Sequence, residues 1–353
     1  MTTQTTTQTA SRSFNAVRST VAKHPMPLFA VALYLLPYAA VAAGLSPFNA
    51  AEFLVWGLFA LSVGLLWGYG GDLSFGHGMF FGWGAYVAGL VSQKVPNMPL
   101  ALLCAAVVSA VVATALAAII VPRAQGIYFA MITLATGQIF YFLAFRMDAV
   151  TGGETGLGGI QRGGLLGLNL ASNVPFYFFT AAVVLLATAA VLRIIRSPFG
   201  LVLKGVQQNR SRVPYLGFNV VRYRQGAFVL SAALAGVAGG LSSFLYLTVP
   251  PERLNWTTTG AAIIMTMLGG LGTLFGPFIG AALYKYLEGS LNSITNYWPA
   301  LVGLVFAVVV LVAPKGIAGL LSQAWVRVVG RPTEPPAAAT LRRKVTAPGR
   351  DAP

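Results

Sequence analysis

Two histidines, His24 and His77, eight acidic residues and one cysteine, Cys104, are all that this 353-residue chain offers for acid–base, metal or nucleophilic chemistry. They form no familiar catalytic spacing. No Gly-Lys dipeptide occurs, which excludes a Walker A phosphate loop, and no His-Glu-x-x-His pair marks a zinc helix. Cys104 lies in an apolar run; it cannot make an internal disulfide or a thiolate metal site, and reads as a small buried hydrophobe. Catalysis by this chain alone is not expected.

The basic residues say more. Residues 193–224, RIIRSPFGLVLKGVQQNRSRVPYLGFNVVRYR, carry seven Lys/Arg and no acid, and long apolar runs flank them on both sides. Such a loop is too polar for lipid and long enough for short helices, so it can present a surface to a soluble partner. A second group of polar residues lies in or beside apolar runs, where an unpaired polar group is costly. Asp72, Ser74 and His77 cluster at the start of one run. Thr133, Thr136, Gln138 and Tyr141 follow one another along another, with Thr133, Thr136 and Tyr141 expected close in angle and Gln138 to the side. Lining of a solute pathway and hydrogen bonding between helices would both account for them. His77 reads as a packed, hydrogen-bonded histidine rather than a proton relay. In the glycine-dense segment 151–159, backbone amides and Glu154 could meet an ammonium or amide group at a pore mouth, or the segment could be a plain connector. Lys285 and Glu288, three residues apart, are expected to pair.

The elements that must hold these residues follow from composition. Hydrophobic residues make up 56% and charged residues 9%, with a mean hydropathy of +0.74, too few charges for the surface of a soluble domain. The predicted fold is an all-α integral membrane protein, a polytopic bundle of about ten transmembrane helices. Apolar segments stand at 27–45, 50–68, 73–92, 99–121, 127–145, 174–195, 225–248, 260–268, 275–289 and 298–314. The first is longer than a signal-peptide core and leads straight into further segments, so it reads as an uncleaved span.

Ten crossings from a cytoplasmic N-terminus place the basic loop and the C-terminus inside. Eighteen Lys/Arg then fall on the inner side and four, Lys94, Arg146, Arg162 and Arg253, on the outer side. This distribution accounts for the net charge of +15 without nucleic acid, which is not an expected partner; membrane lipid is. Residues 1–26 are expected to form a flexible cytoplasmic arm, 27–321 the membrane domain with its loop at 193–224, and 322–353 a disordered cytoplasmic tail. Small residues recur at intervals of four, as in Gly84 and Ala88 or Ala232, Gly236 and Gly240, a pattern for close helix packing within one chain or between subunits. Two Gly-rich turns, 70–76 and 269–276, look alike and could be relics of an internal repeat.

The segments GYGGDLSFGHGMFFGWGAYVAGL (68–90), ITLATGQIFYFLAFRMDAVTGGETGLGGI (132–160), SPFGLVLKGVQQN (197–209) and WTTTGAAIIMTMLGGLGTLFGPFIGAALY (256–284) resemble the membrane permease of branched-chain amino-acid ABC importers, in order and at matching spacing from about Phe53 to Leu321. The resemblance implies a bacterial inner-membrane permease that pairs with a second, related permease, receives solute from a periplasmic binding protein and is driven by two cytoplasmic ATPase subunits. ATP and Mg would be bound by those subunits, with no cofactor in this chain. It also implies a cytoplasmic coupling helix in the basic loop, where Gln208-Asn209 and Leu216-Gly217 match. Arg210 stands where an acid is common and Pro214 where a helix would otherwise run, so Arg210 is expected to reach an acidic groove on the ATPase. Lys204, Gln208, Asn209, Arg210, Arg212 and Gly217 are the coupling candidates, and Ser74, His77, Thr133, Thr136, Gln138, Tyr141 and Glu154 the pathway candidates. The urea or short-chain amide branch of the same family, and a secondary transporter or channel working alone, are the competing expectations.

Overall fold

The computed structural model describes residues 25–42, 46–163, 170–293 and most of 295–319; the expected terminal tail, and the arm up to residue 24, lie outside the described residues. Ten helices occupy the ten predicted positions: α1 (Pro25–Ala42), α2 (Pro47–Gly64), α3 (His77–Lys94), α4 (Met98–Ile120), α5 (Ile127–Arg146), α6 (Asn173–Arg196), α8 (Val220–Tyr246), α9 (Trp256–Gly269), α10 (Gly276–Asn292) and α11 (Trp298–Val312). A further helix, α7 (Pro198–Gln208), lies in the basic loop. The helix starts are written in the sequence. Ser46, Asn97, Ser197, Asn219 and Asn255 each accept a backbone N–H from the first turn of α2, α4, α7, α8 and α9, and proline stands in the first turn of α2, α4 and α7, where its missing N–H costs nothing.

Burial separates a central pair from the periphery. In α2 and α8 most of the apolar span is buried, 83% and 72%, against 28% in each of α4, α5 and α6. These five helices, α2 counted with the π-helical turn Leu65–Tyr69 that ends it, are long and apolar enough to cross a bilayer. A helix apolar all round must be enclosed by others. Accordingly α8 packs on α3, α4 and α2, while α2 also packs on α10, α6 and α9. The small-residue pattern does what its spacing predicts within this chain. A Cβ on Gly84 would lie 2.4 Å from Gly236 O, and one on Gly239 would lie 1.8 Å from Phe81 O, so only glycine lets α3 and α8 approach this closely.

At one end of the bundle the π-helical turn that leads into the first of the two similar turns meets the second, where a Cβ on Gly68 would lie 2.7 Å from Gly272 N. The same end carries the basic loop. Tyr246, Trp256 and the start of α2 lie at the other.

Candidate functional site

The basic loop is built as a helix, a turn and a glycine stop. Ser197 and Pro198 start α7, which ends at Gln208. The Asn209 side-chain oxygen accepts N–H groups from Ser211 and Arg212 at 3.1 and 3.2 Å, folding the chain back. Pro214 lies in a 3-10 turn, Val213–Leu216, rather than breaking α7, and Gly217 follows at φ +82°, a left-handed position that suits glycine. Leu203, Val206 and Val213 face inward, while Lys204, Gln208, Asn209, Arg212 and Gly217 are exposed. Tyr215 and Leu216, 90% and 72% exposed, add apolar surface to the basic face. Lys204 also reaches back, its Nζ 5.6 Å from the Tyr69 ring centre.

The loop is latched to the spans through Asp72. Its carboxylate, 2% exposed, accepts Arg224 Nε at 2.6 Å, Arg224 Nη2 at 3.1 Å and Arg210 Nη2 at 2.5 Å. Arg224, equally buried, donates further to Val121 O and Ala124 O at 3.0 and 2.9 Å, just past the end of α4. Gln207 Nε2 donates to Gly68 O at 2.7 Å and Arg210 to Gly71 O at 3.1 Å. One buried acid thereby ties α7, the start of α8, the end of α4 and the turn between α2 and α3 into a single block. This corrects the expected placement of Arg210, whose guanidinium is turned inward onto Asp72. Its partner acid lies 138 residues earlier in the chain.

Among the pathway candidates, Ser74, His77 and Thr133 come together where the 70–76 turn meets α5. The Ser74 hydroxyl accepts Gly76 N–H at 3.3 Å, and Thr133 Oγ1 accepts Phe75 N–H at 3.3 Å. His77 is fully buried with Nε2 2.5 Å from Ser231 Oγ, and Ser231 spends its one proton on Ser62 O at 2.6 Å. Nε2 must then carry the proton it gives to Ser231, and Nδ1 is the bare acceptor. That is the packed histidine expected. Thr136, Gln138 and Tyr141 do not join this cluster. At 3.6 residues per turn Thr136 and Tyr141 fan out about 60° and 80° to either side of Thr133, which corrects their expected common face. Thr136 bonds back to Ile132 O, Tyr141 packs on Phe142 and Phe145, and Gln138 Nε2 is buried without a partner among the described residues. Glu154 is exposed at the opposite end of the bundle. Its segment is pinned rather than loose, because Leu157 and Val249 exchange two backbone hydrogen bonds at 3.0 and 2.9 Å.

Sequence reasoning missed Arg224, Gln207 and a cluster at that opposite end. There Lys285 Nζ lies 2.6 Å from Glu288 Oε2, the pairing expected, and also 2.9 Å from Glu52 Oε1, which accepts the Tyr246 hydroxyl as well. Beside it Arg162 caps the end of α8, donating to Phe244 O and Leu245 O at 2.8 and 3.1 Å, and burial holds its pKa below the ordinary arginine value. A polar residue in an apolar run was the available signal for Glu52.

The multi-helix bundle, with its buried ionic ties and a basic amphipathic loop at one end, is that of an all-α polytopic membrane protein. Residues 48–314 match the family described as the permease component of branched-chain amino acid transport systems, and the chain belongs to that family. It is 24% identical to the high-affinity branched-chain amino acid transport system permease protein LivM of Salmonella typhimurium and 25% identical to that of Escherichia coli, in each case over 75% of this chain and 68% of the relative. Over 40% of this chain it is 31% identical to a probable branched-chain amino acid transport permease protein LivH of Methanocaldococcus jannaschii, of which the match covers 47%. No solved structure matches the chain.

Proposed function

We propose that the chain is one of two related permease subunits of an ATP-binding-cassette importer in a bacterial inner membrane, translocating branched-chain or other amino acids handed over by a periplasmic binding protein. The basic loop faces the cytosol and docks one of two ATPase subunits, which bind ATP and Mg. One observation carries the reading: an exposed, acid-free face with Tyr215 and Leu216 at its tip is rigidly joined, through Arg210, Asp72 and Arg224, to the ends of three spans. The names of the LivM and LivH relatives support the solute class and the presence of two kinds of permease.

The mechanism follows from that join. Closure of the ATPase pair on ATP moves the loop, and the latch passes the displacement to the 70–76 turn, the end of α4 and the start of α8. Packed helices respond as rigid bodies, so the pathway rocks between its two openings. The test replaces Tyr215 and Leu216 with aspartate in the reconstituted importer. Burial of two such side chains is worth about 3 kcal/mol, roughly a hundredfold in docking affinity. Solute-stimulated ATP hydrolysis is expected to be lost while membrane insertion survives; stimulation at the wild-type level would refute the docking role.

A further inference from the structure

The end of the bundle opposite the basic loop holds a cavity of about 570 Å³ among α2, α8, α9, α10 and α11, within the range of about 300–1,000 Å³ typical of small-ligand sites. Its charges are unusual for a membrane span. Lys285, 8% exposed, is held by Glu52 and Glu288, so the three together carry one net negative charge. Glu288 is the most open of them, 29% exposed, and only its Oε2 is engaged by Lys285. Arg253, from the 3-10 turn Pro251–Leu254, supplies the opposite charge. Its guanidinium lies 4.4 Å from the Tyr246 ring centre and 5.5 Å from that of Trp56, and has no hydrogen-bond acceptor among the described residues. Lys285 Nζ lies 4.6 Å from the same Trp56 ring, and Trp298 lines another wall.

A guanidinium with no carboxylate partner among the described residues and a carboxylate cluster of net charge −1, set around the rings of Trp56 and Tyr246, make a dipole with an aromatic lining. A neutral solute such as urea can hydrogen-bond to both poles but compensates the charge of neither, and a simple ion compensates one. We propose that this cavity is a solute-binding vestibule for a zwitterionic α-amino acid, with its carboxylate on Arg253, its ammonium on Glu288 and its aliphatic side chain against Trp56 and Trp298. Arg253 stands in the turn just outside the spans, so its charge and that of the carboxylate cluster balance across the cavity without pairing directly, which leaves both ends open to the two charges of one solute. The proposal deepens the importer reading and rests on it for the choice of amino acid.

The test is a titration of the full chain in lipid nanodiscs, read by tryptophan fluorescence, with L-leucine, leucinamide (no carboxylate), 4-methylpentanoate (no ammonium) and urea as probes. L-leucine is expected to saturate, with each single-charge analogue at least tenfold weaker and urea silent. Arg253→Gln should weaken L-leucine tenfold or more and leave leucinamide unchanged; Glu288→Gln should weaken L-leucine and leave 4-methylpentanoate unchanged. If Arg253→Gln does not fold, Arg253→Lys, which keeps the charge but not the fork, should weaken L-leucine severalfold and spare leucinamide. Equal affinity for L-leucine and both analogues, or variants that bind L-leucine like wild type, would overturn the proposal. ATP-dependent uptake by the reconstituted importer separates the two ideas. Uptake of L-leucine unaffected by either variant removes the vestibule and keeps the importer, whereas charge-selective binding without ATP-dependent uptake keeps the vestibule and removes the importer.

Discussion

Replacing Asp72 with asparagine keeps the shape of the latch and removes its charge. The wild-type carboxylate takes three N–H donors within 3.1 Å from two arginines, and both it and Arg224 are 2% exposed. With asparagine there Arg224 keeps neutral acceptors alone, the amide oxygen and the carbonyls of Val121 and Ala124, so the charge of a buried guanidinium is left uncompensated. Breaking a buried pair in this way costs about 3–5 kcal/mol, a large share of the roughly 5–15 kcal/mol that holds a typical domain folded. Arg210→Gln should cost far less, about 1 kcal/mol, because that side chain is 25% exposed and water replaces part of the lost bond. The double variant Asp72→Asn/Arg224→Gln leaves neither charge stranded and should recover about 2 kcal/mol relative to the sum of the single losses. Unfolding titrations in mixed detergent micelles measure all four proteins. A loss below about 1 kcal/mol for Asp72→Asn, or strict additivity in the double variant, would refute the latch.

Further outcomes follow from the same geometry. Gly217→Arg, forced into a left-handed position at φ +82° on the exposed face, and deletion of residues 206–212 should each abolish solute-stimulated ATP hydrolysis while the protein still inserts, as fractionation and ATPase assays would show. Gly239→Val should destabilise by about 3 kcal/mol or prevent assembly, since its Cβ would meet Phe81 O at 1.8 Å; melting in detergent reads the loss. Glu154→Ala, at the exposed tip of the pinned segment, should raise the KM for uptake from the donor protein severalfold without altering basal ATP hydrolysis.

What could be read from the sequence was whatever acts over a few residues. The ten apolar segments lie within a few residues of ten helices because bilayer thickness and Ser/Asn caps are local signals. Lys285 and Glu288 were legible as a pair because one helical turn separates them. Glu52, in another helix, was not, although it binds the same ammonium. Arg210 shows the same limit from the other direction. Local spacing made it a residue for a partner, and only the fold could show that Asp72, 138 residues earlier, already holds it. Arg224 looked like one more cytoplasmic charge at the end of a loop, since nothing nearby in sequence signals burial at 2% exposure.

An importer of this kind needs the basic loop to lie in the cytosol and to meet a motor protein there. Tyr215, at 90% exposure, is the position to probe, and a Cys104→Ser background leaves Tyr215→Cys as the sole thiol. A membrane-impermeant maleimide should label that thiol in inverted vesicles and not in intact cells, and co-purified ATPase subunits should protect it. Labelling from outside intact cells, or labelling that the ATPase subunits leave unchanged, would contradict the account.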